Sequence, residues 1–355
     1  MTKLLAYIGS YAEASAPGVY ACLFDPDKGE LELTDQVTGL LNPTFLALAP
    51  ELHTLYAIGE SRLESGERIG EAAAYRLDPE SGSLRLLNRQ PTVAAPTCHI
   101  SIDKTGQALF TSSYHGGLIG VSALEEGGRV GPLRQSIAHS GSSVLPVQSQ
   151  ARVHSLLPDR SNRFAVVCDL GLDKVIVYRI DPEGPTLTKA SETATAAGAG
   201  PRHFAFHPSR PNGYVINELN STITVFSWDE ENGTLTEIET VSTLPASYDG
   251  ENATADIHLS PDGRFLYGSN RGHDSLAVFA VDEETGKLRP VEHTPTGGGH
   301  PRNFALTPDG RFLLAANRDG DNIVIFRRDA ETGRLTPNGK ELRLSKPVCV
   351  KFMER

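Results

Sequence analysis

Short apolar runs recur along the whole chain, and turn sequences such as PDG, DPE, ETG and ENG separate them. Each run has roughly five or six residues and is rich in Val, Ile, Phe and Tyr, which is typical of β-strands. The runs do not show the three-to-four residue spacing of an amphipathic helix. The pattern therefore predicts an all-β protein built from short antiparallel strands joined by tight turns.

The runs are organised as a repeat of roughly 50 residues with four strands in each unit, which is the size of a β-propeller blade. The first run of each unit ends in a Pro or Asp turn. Six copies of this run occupy residues 44–50, 97–103, 152–158, 202–208, 255–261 and 302–308. The six copies predict six complete blades.

A seventh first strand, VCVKF at residues 348–352, stands near the C-terminus, and three further strand-like runs stand near the N-terminus. One blade alone cannot bury both of its faces, whereas a ring lets each blade cover the next and removes long exposed edges. We therefore predict one domain over residues 1–355, a seven-bladed β-propeller with four antiparallel strands per blade. Its closing blade is shared by the two termini.

Composition excludes several classes of function. The net charge of -11, from 44 acidic and 33 basic residues, disfavours a nucleic-acid or anionic-membrane surface. The four cysteines show no CxxC spacing, so neither a zinc site nor a disulfide framework is indicated. The N-terminal apolar run is broken by Gly9, and no run reaches the roughly 18 apolar residues of a membrane span. These features predict a cytoplasmic protein without a membrane anchor.

In a propeller, the first strand of each blade lines the central channel, so we aligned these strands on their turn residue. Four positions before the turn, the aligned residues are Leu46, His99, His154, Phe204, Ile257 and Phe304. Two positions earlier they are Thr44, Thr97, Arg152, Arg202, Ala255 and Arg302. Any one of these His or Arg side chains fits a structural role equally well, but the convergence of several indicates a functional site.

A second informative position lies at the end of the second strand of each blade. There the aligned residues are Glu60, Tyr114, Asp169, Glu218, Arg271 and Arg318. Opposite charges in nearly identical sequence frames favour a site lined by several blades. The alternative is a rim where the charges are simply solvated.

Familiar cofactor and nucleophile motifs are missing: the chain contains no GxGxxG, Walker, HExxH or GxSxG sequence. We therefore predict no organic cofactor and no metal. Two alternatives stay open, a nucleophilic Cys98 or Cys168, and a Ca²⁺ site with oxygen ligands from Glu60, Asp169 and Glu218. Arginines expected at the same place would compete with such a cation.

The stretches GPRHFAFHP, YVINELNSTITVF, GSNRGHDSLAVF and GHPRNFALTPDGRFLLAANRDGDNIVIF resemble the seven-bladed propeller lactonase family. This family includes bacterial 6-phosphogluconolactonases and a fungal carboxy-cis,cis-muconate cyclase, and the resemblance covers essentially the whole chain. It implies catalytic roles for His154, Arg202, Glu218 and Arg271.

The chemistry that the resemblance implies is hydrolysis of a small anionic sugar lactone, as in the pentose phosphate pathway. Either Glu218 or His154 would activate water, and Arg202 and Arg271 would stabilise the oxyanion and bind the anionic group of the substrate. We expect His99, Asp169, Arg302 and Arg318 to bind substrate. The alternatives are a carboxymuconate-type cycloisomerase and a propeller that only binds a partner.

Overall fold

A computed structural model describes residues 3–353, and its strands form seven four-stranded antiparallel sheets. We number the sheets as blades 1 to 7 in the order of their innermost strands. Blade 1 contains β4 (Leu46–Ala49), β5 (Thr54–Arg62), β6 (Arg68–Leu77) and β7 (Leu84–Pro91). Blade 2 contains β8 (His99–Ile102), β9 (Ala108–Ser113), β10 (Leu118–Glu125) and β11 (Arg129–Ala138). Blade 3 contains β12 (Val153–Pro158), β13 (Phe164–Asp169), β14 (Lys174–Ile180) and β15 (Leu187–Ala194).

The next three blades follow the same plan of consecutive hairpins. Blade 4 contains β16 (Pro201–Phe206), β17 (Asn212–Asn217), β18 (Thr222–Asp229) and β19 (Thr234–Ser242). Blade 5 contains β20 (Ala253–Leu259), β21 (Phe265–Arg271), β22 (Ser275–Val281) and β23 (Leu288–Pro295). Blade 6 contains β24 (Pro301–Leu306), β25 (Phe312–Asn317), β26 (Asn322–Arg328) and β27 (Leu335–Arg343). Three short 3-10 turns lie at Pro50–Leu52, Glu126–Gly128 and Pro146–Gln148.

Blade 7 joins the two ends of the chain, as predicted. The C-terminal β28 (Pro347–Phe352) pairs with β1 (Leu4–Ser10), which is followed outward by β2 (Val19–Asp25) and β3 (Glu30–Val37). The innermost strand of every blade contacts those of both neighbours, and β28 contacts β24 on one side and β4 on the other. The prediction of a closed seven-bladed all-β propeller is confirmed.

Apolar side chains fill the spaces between neighbouring blades, where they form successive buried clusters around the ring. A tyrosine near the start of the second strand recurs in this packing. Tyr56, Tyr214 and Tyr267 are fully buried, and each donates its hydroxyl hydrogen to a glycine carbonyl of the following blade, 2.8 to 3.0 Å away. The hydrogen bond satisfies a buried polar group and fixes the register of one blade on the next.

The innermost strands are irregular at the end where they begin. The pairing of β12 with β13 skips His154, that of β16 with β17 skips Arg202, and that of β24 with β25 skips Arg302. Each skipped residue is the extra residue of a β-bulge, a feature that changes the direction of a side chain. Within the described part of the chain, no helix has the length and apolar character needed to cross a bilayer.

Candidate active site

A cavity of about 210 Å³ lies at the mouth of the central channel, at the end where the innermost strands begin. Its walls come from blades around the ring, and they carry basic, acidic and aromatic groups. The lining residues include Tyr11, Phe45, Glu60, Arg68, Cys98, Tyr114, His154, Arg202, His203, Glu218 and Arg302. A second cavity lies further along the channel, and Phe45 and His203 contribute to the walls of both. These two side chains therefore separate the cavities.

The three β-bulges place His154, Arg202 and Arg302 at one level of the channel, and all three line the first cavity. The alignment on the turn residue put His154 level with Phe204, and this register is wrong by two residues. The residue before His154 pairs with Asp169 just as the residue before Arg202 pairs with Asn217. His154 is therefore the blade 3 equivalent of Arg202.

Glu218 joins two of the predicted arginines. Its Oε2 atom accepts a hydrogen bond from Nε of Arg202 at 2.9 Å and lies 2.9 Å from Nη2 of Arg271. The Arg202 side chain is 3% exposed and that of Arg271 7% exposed, so these charges are shielded from bulk water. Charge-assisted bonds of this kind hold guanidinium groups in a fixed orientation.

The protonation states follow from burial and from the mutual field of these groups. Burial would raise the pKa of Glu218, but Arg271, Arg202 and Arg302 together lower it below its ordinary value. Burial, followed by the fields of Arg302 and Arg271, lowers the pKa of Arg202 to about 9. At neutral pH the site therefore holds an ionised carboxylate and a cationic guanidinium.

His154 is buried beside these cations. Burial and the charge of Arg202 hold the pKa of its imidazole well below the ordinary value. Its Nδ1 atom is buried and has no hydrogen-bond partner within residues 3–353, which leaves Nε2 as the ring nitrogen that faces the cavity. The centre of the Tyr114 ring lies 5.8 Å from the centre of the imidazole, in an edge-to-face arrangement. His154 is thus neutral at pH 7 and has an unprotonated nitrogen.

Arg302 differs from Arg202 in its surroundings. Among residues 3–353 it has no carboxylate partner, and its guanidinium carbon lies 5.8 Å from the centre of the Tyr11 ring. The other charged pair in the cavity wall is Arg68 with Glu60, whose atoms Nη1 and Oε2 are 2.8 Å apart. Arg302 is therefore the cation of the cavity wall whose charge is not compensated locally.

Three residues predicted to bind substrate do not line this cavity. Asp169 is fully buried and accepts hydrogen bonds from backbone N–H groups of the same blade, and it bonds to His139 at 2.7 Å. It aligns with Asn217 by strand pairing, so the predicted alignment with Glu218 is wrong by one residue. His99 faces the second cavity, where its ring packs on Phe45.

Arg318 is the third of these residues. Its Nε and Nη2 atoms donate to the carboxylate of Asp319 at 2.6 and 2.9 Å, on the wall of a separate surface pocket. Its charge is therefore already compensated by its sequence neighbour. Arg302 is the predicted binding residue that does line the cavity.

The structure also locates the residues proposed for the two alternatives, a cysteine nucleophile and a Ca²⁺ site. Burial raises the pKa of the Cys98 thiol to about 11 and that of Cys168 to about 12, so both are protonated and weakly nucleophilic at neutral pH. The carboxylates suggested for Ca²⁺ are dispersed, because Asp169 lies outside the cavity that Glu60 and Glu218 share. No group of three or more His, Cys, Asp or Glu residues converges as a metal site within residues 3–353.

Two functional candidates were missed from the sequence. His203 lies directly beneath Arg202 and bonds to Asp256 of blade 5. His203 follows Arg202 in the GPRH sequence, and Asp256 occupies an apolar-looking run, ADIHL. The sequence signal that could have identified Asp256 is a charged residue inside a short apolar strand, because a buried carboxylate needs dedicated hydrogen-bond partners.

The fold and the cavity together define a class of protein: a seven-bladed propeller with a cavity at the channel mouth whose wall contains arginines. The family model for lactonases with a seven-bladed β-propeller matches residues 5–352. The chain belongs to this lactonase family, and it is a lactonase, a carboxylic ester hydrolase. The family and the enzyme class expected from the sequence resemblance are confirmed.

Similar proteins that are described as lactonases support the family assignment. The chain is 36% identical to a 6-phosphogluconolactonase of Bacillus subtilis, with all of both chains covered. It is 35% identical to a 6-phosphogluconolactonase of Formosa agariphila, with 84% of this chain and 85% of the relative covered. Among solved structures it resembles a periplasmic gluconolactonase of Pseudomonas aeruginosa, with 33% identity, 99% of each chain covered and a TM-score of 0.92.

Proposed function

We propose that the protein hydrolyses 6-phosphoglucono-δ-lactone to 6-phosphogluconate, with His154 as the general base, Arg202 as the oxyanion-stabilising group and Arg271 acting on the site through its ion pair with Glu218. The observation that carries the proposal is the neutral His154 imidazole, which faces the same cavity as Arg202 and Arg302. A base that is unprotonated at pH 7 and a fixed cation are the two groups that lactone opening requires. The named relatives support the choice of substrate.

In the first step, Nε2 of His154 takes a proton from water while the water oxygen bonds to the lactone carbonyl carbon. The carbonyl oxygen becomes an oxyanion, which the guanidinium of Arg202 would stabilise. In the second step, the bond from that carbon to the ring oxygen breaks, and the imidazolium returns its proton to the leaving oxygen. The products are a carboxylic acid, which ionises, and a free hydroxyl group.

Glu218 has a supporting role in this scheme. Its Oε2 atom already contacts both Arg202 and Arg271, and these arginines lower its pKa, so it is a weak base that holds two cations. Arg302 has no carboxylate partner among the described residues and would bind the phosphate. A bound dianion would also raise the low pKa of His154, because it offsets the field of the arginines.

The test is lactone hydrolysis by matched variants, with the uncatalysed rate subtracted and carboxymuconate as the control substrate. We expect His154→Gln to lower kcat at least 100-fold, the size of a lost general base. Glu218→Gln should lower kcat less, because the amide oxygen still accepts one hydrogen bond. No turnover by the parent protein would contradict the proposed substrate. A larger loss in Glu218→Gln than in His154→Gln would make Glu218 the base.

A further inference from the structure

A continuous series of buried polar groups runs from the cavity into the wall between blades 4 and 5. Nε of Arg202 donates to Glu218 at 2.9 Å, and Nη1 of Arg202 lies 3.2 Å from Nε2 of His203. Nδ1 of His203 lies 2.7 Å from Oδ1 of Asp256. The side chains of His203 and Asp256 are 7% and 3% exposed, so water does not compete for these bonds.

The partners of Asp256 keep it ionised. Burial would raise its pKa, but His258 and the hydrogen bond from His203 hold it well below the ordinary value. Oδ2 of Asp256 accepts from Nδ2 of Asn303 and from Nε2 of His258, the latter at 2.9 Å. A carboxylate that accepts on both oxygens requires a hydrogen on the facing nitrogen of His203.

This requirement determines the tautomer of His203. Burial and the charge of Arg202 lower its pKa to about 4, so the ring is neutral and carries one hydrogen. That hydrogen is on Nδ1, because Asp256 accepts there, and Nε2 therefore has a lone pair. A guanidinium can only donate, so Nη1 of Arg202 donates to this lone pair.

The acceptors around Arg202 determine which of its N–H groups stay available. Nε donates to Glu218, and Nη1 donates to His203 and, at 2.5 Å, to the carbonyl oxygen of Ala255. Nη2 has no acceptor among residues 3–353, and the side chain lines the cavity. The protein thus occupies the hydrogens of Nε and Nη1 and leaves those of Nη2 for a ligand.

We propose that Asp256 is a positioning residue for lactone hydrolysis: through the tautomer of His203, it holds the Arg202 guanidinium with Nη2 facing the cavity. The inference rests on the proposed function, and neither residue has to touch the substrate. It predicts that changing Asp256 alters kcat far more than KM, since oxyanion stabilisation is needed in the transition state.

Asp256→Asn is the informative change because it keeps the shape of the side chain. Three donors, from His258, Asn303 and the backbone N–H of Phe304, face Oδ2 of Asp256, whereas one donor, from His203, faces Oδ1. The amide oxygen of the variant will turn toward the three donors, and its NH₂ group will face His203. His203 must then carry its hydrogen on Nε2, where this hydrogen faces an N–H group of Arg202 and the hydrogen bond between the two residues is lost.

A second buried His–Asp pair provides the matched control. Nδ1 of His139 lies 2.7 Å from Oδ2 of Asp169, and its Nε2 lies 2.8 Å from the hydroxyl of Tyr178. The His139 side chain is 5% exposed, and neither residue lines the cavity. His139→Gln therefore disrupts a pair of the same type and burial without reaching Arg202.

The experiment measures kcat, KM, thermal unfolding and the ¹⁵N chemical shifts of histidine in the parent, Asp256→Asn, His203→Gln, His203→Leu and His139→Gln. We expect Asp256→Asn to lower kcat roughly 10- to 100-fold, as supporting hydrogen bonds in catalytic sites often do, with a small change in KM. The shifts should report Nδ1–H for His203 in the parent and Nε2–H in this variant. His203→Gln keeps an acceptor for Arg202 and should retain more activity than His203→Leu.

The proposal is overturned if Asp256→Asn and His139→Gln lose stability alike while both keep the parent kcat, or if His203 carries Nε2–H in the parent. The histidine ¹⁵N shifts separate this outcome from failure of the proposed function, because they do not require turnover. If the parent hydrolyses no lactone, the proposed function fails, and Nδ1–H on His203 in both the parent and Asp256→Asn would overturn the positioning role as well.

Discussion

Blades 4 and 6 carry the same sequence pattern but use it differently. Arg202 and Arg302 follow equivalent prolines in equivalent bulges, yet Arg202 is held by Glu218 and His203, whereas Arg302 has no carboxylate partner among the described residues. The residue that follows each arginine, His203 in blade 4 and Asn303 in blade 6, forms a hydrogen bond with Asp256 of blade 5, which lies between them. One arginine is thus fixed by the protein and the other is left available. We infer that the first serves the transition state and the second binds the substrate.

The side chain after each arginine extends the contrast. His203 accepts a hydrogen bond from Arg202 and so helps to fix the orientation of a side chain that lines the cavity. Asn303 instead accepts from the backbone N–H of Val350 at 2.7 Å, and Val350 lies in the closing strand β28. The same structural position supports the site in blade 4 and closure of the ring in blade 6.

The largest expected effect follows from ring closure. Deleting residues 347–355 removes β28, its pairing with β1, and the partner of Asn303, so the ring opens. We expect global loss of folding rather than a local defect, because a propeller is stabilised by contacts between every pair of neighbouring blades. Circular dichroism during heating measures this directly. A truncated chain that melts like the full-length protein would contradict the closed-ring account.

Arg202→Ala should produce the largest effect on catalysis. We expect kcat to fall about 100- to 1,000-fold, the cost of removing one oxyanion-stabilising donor. The change also leaves Nε2 of His203 buried without a donor, so the free energy of unfolding should fall by roughly 1–3 kcal/mol. Steady-state kinetics and urea unfolding test the two effects separately. An unchanged kcat would remove Arg202 from the mechanism.

Arg302→Ala should affect substrate binding instead. The loss of a charge-assisted contact to an anion should raise KM about 10- to 100-fold, with a smaller change in kcat. Stability should change little, because Arg302 makes no ion pair with another described residue. A phosphate-free gluconolactone provides the control, since it lacks the group that Arg302 is expected to bind. If KM for both lactones rises equally, Arg302 does not recognise the phosphate.

The pH dependence of stability should distinguish His203 from Asn303, which does not titrate. The pKa of His203 is lowered from 6.5 to about 4, so below pH 6.5 the unfolded chain binds a proton that the native protein does not. Stability therefore falls with decreasing pH between these values, by on the order of 2 kcal/mol from pH 7 to pH 5. Urea unfolding at both pH values should show a smaller difference for His203→Gln. An identical difference would show that His203 does not contribute.

Much of the fold was predictable because strand patterns and turns are local properties of the sequence. The repeat located all seven innermost strands, including the unpaired run at residues 348–352, and closure follows once each blade must cover its neighbour. The site was only partly predictable. His154, Arg202, Glu218 and Arg302 line one cavity as expected, and Arg271 joins them through Glu218. Their catalytic roles stay predictions.

The errors at Asp169 and His154 both come from the residues on which the repeats were matched. Pro158 is the last residue of β12, whereas Pro208 lies two residues beyond the end of β16, so matching these prolines displaces His154 by two positions. Asp169 occupies the position of Asn217, because blade 3 has an Asp at the place where blade 4 has an Asn. Arg318 lies outside the cavity and is paired with the adjacent Asp319, and sequence position alone does not show which charges neutralise each other.

The sequence by itself determined the repeat, the strands, the closing blade and the residue types available to the channel, because hydrophobic alternation and turn chemistry act over a few residues. The tertiary structure decided which of those residues meet. Glu218 contacts arginines from two blades, and Asp256 forms hydrogen bonds with His203 and Asn303, which belong to the two neighbouring blades. Those contacts depend on bulges and on the packing of one blade against the next, which no single repeat encodes.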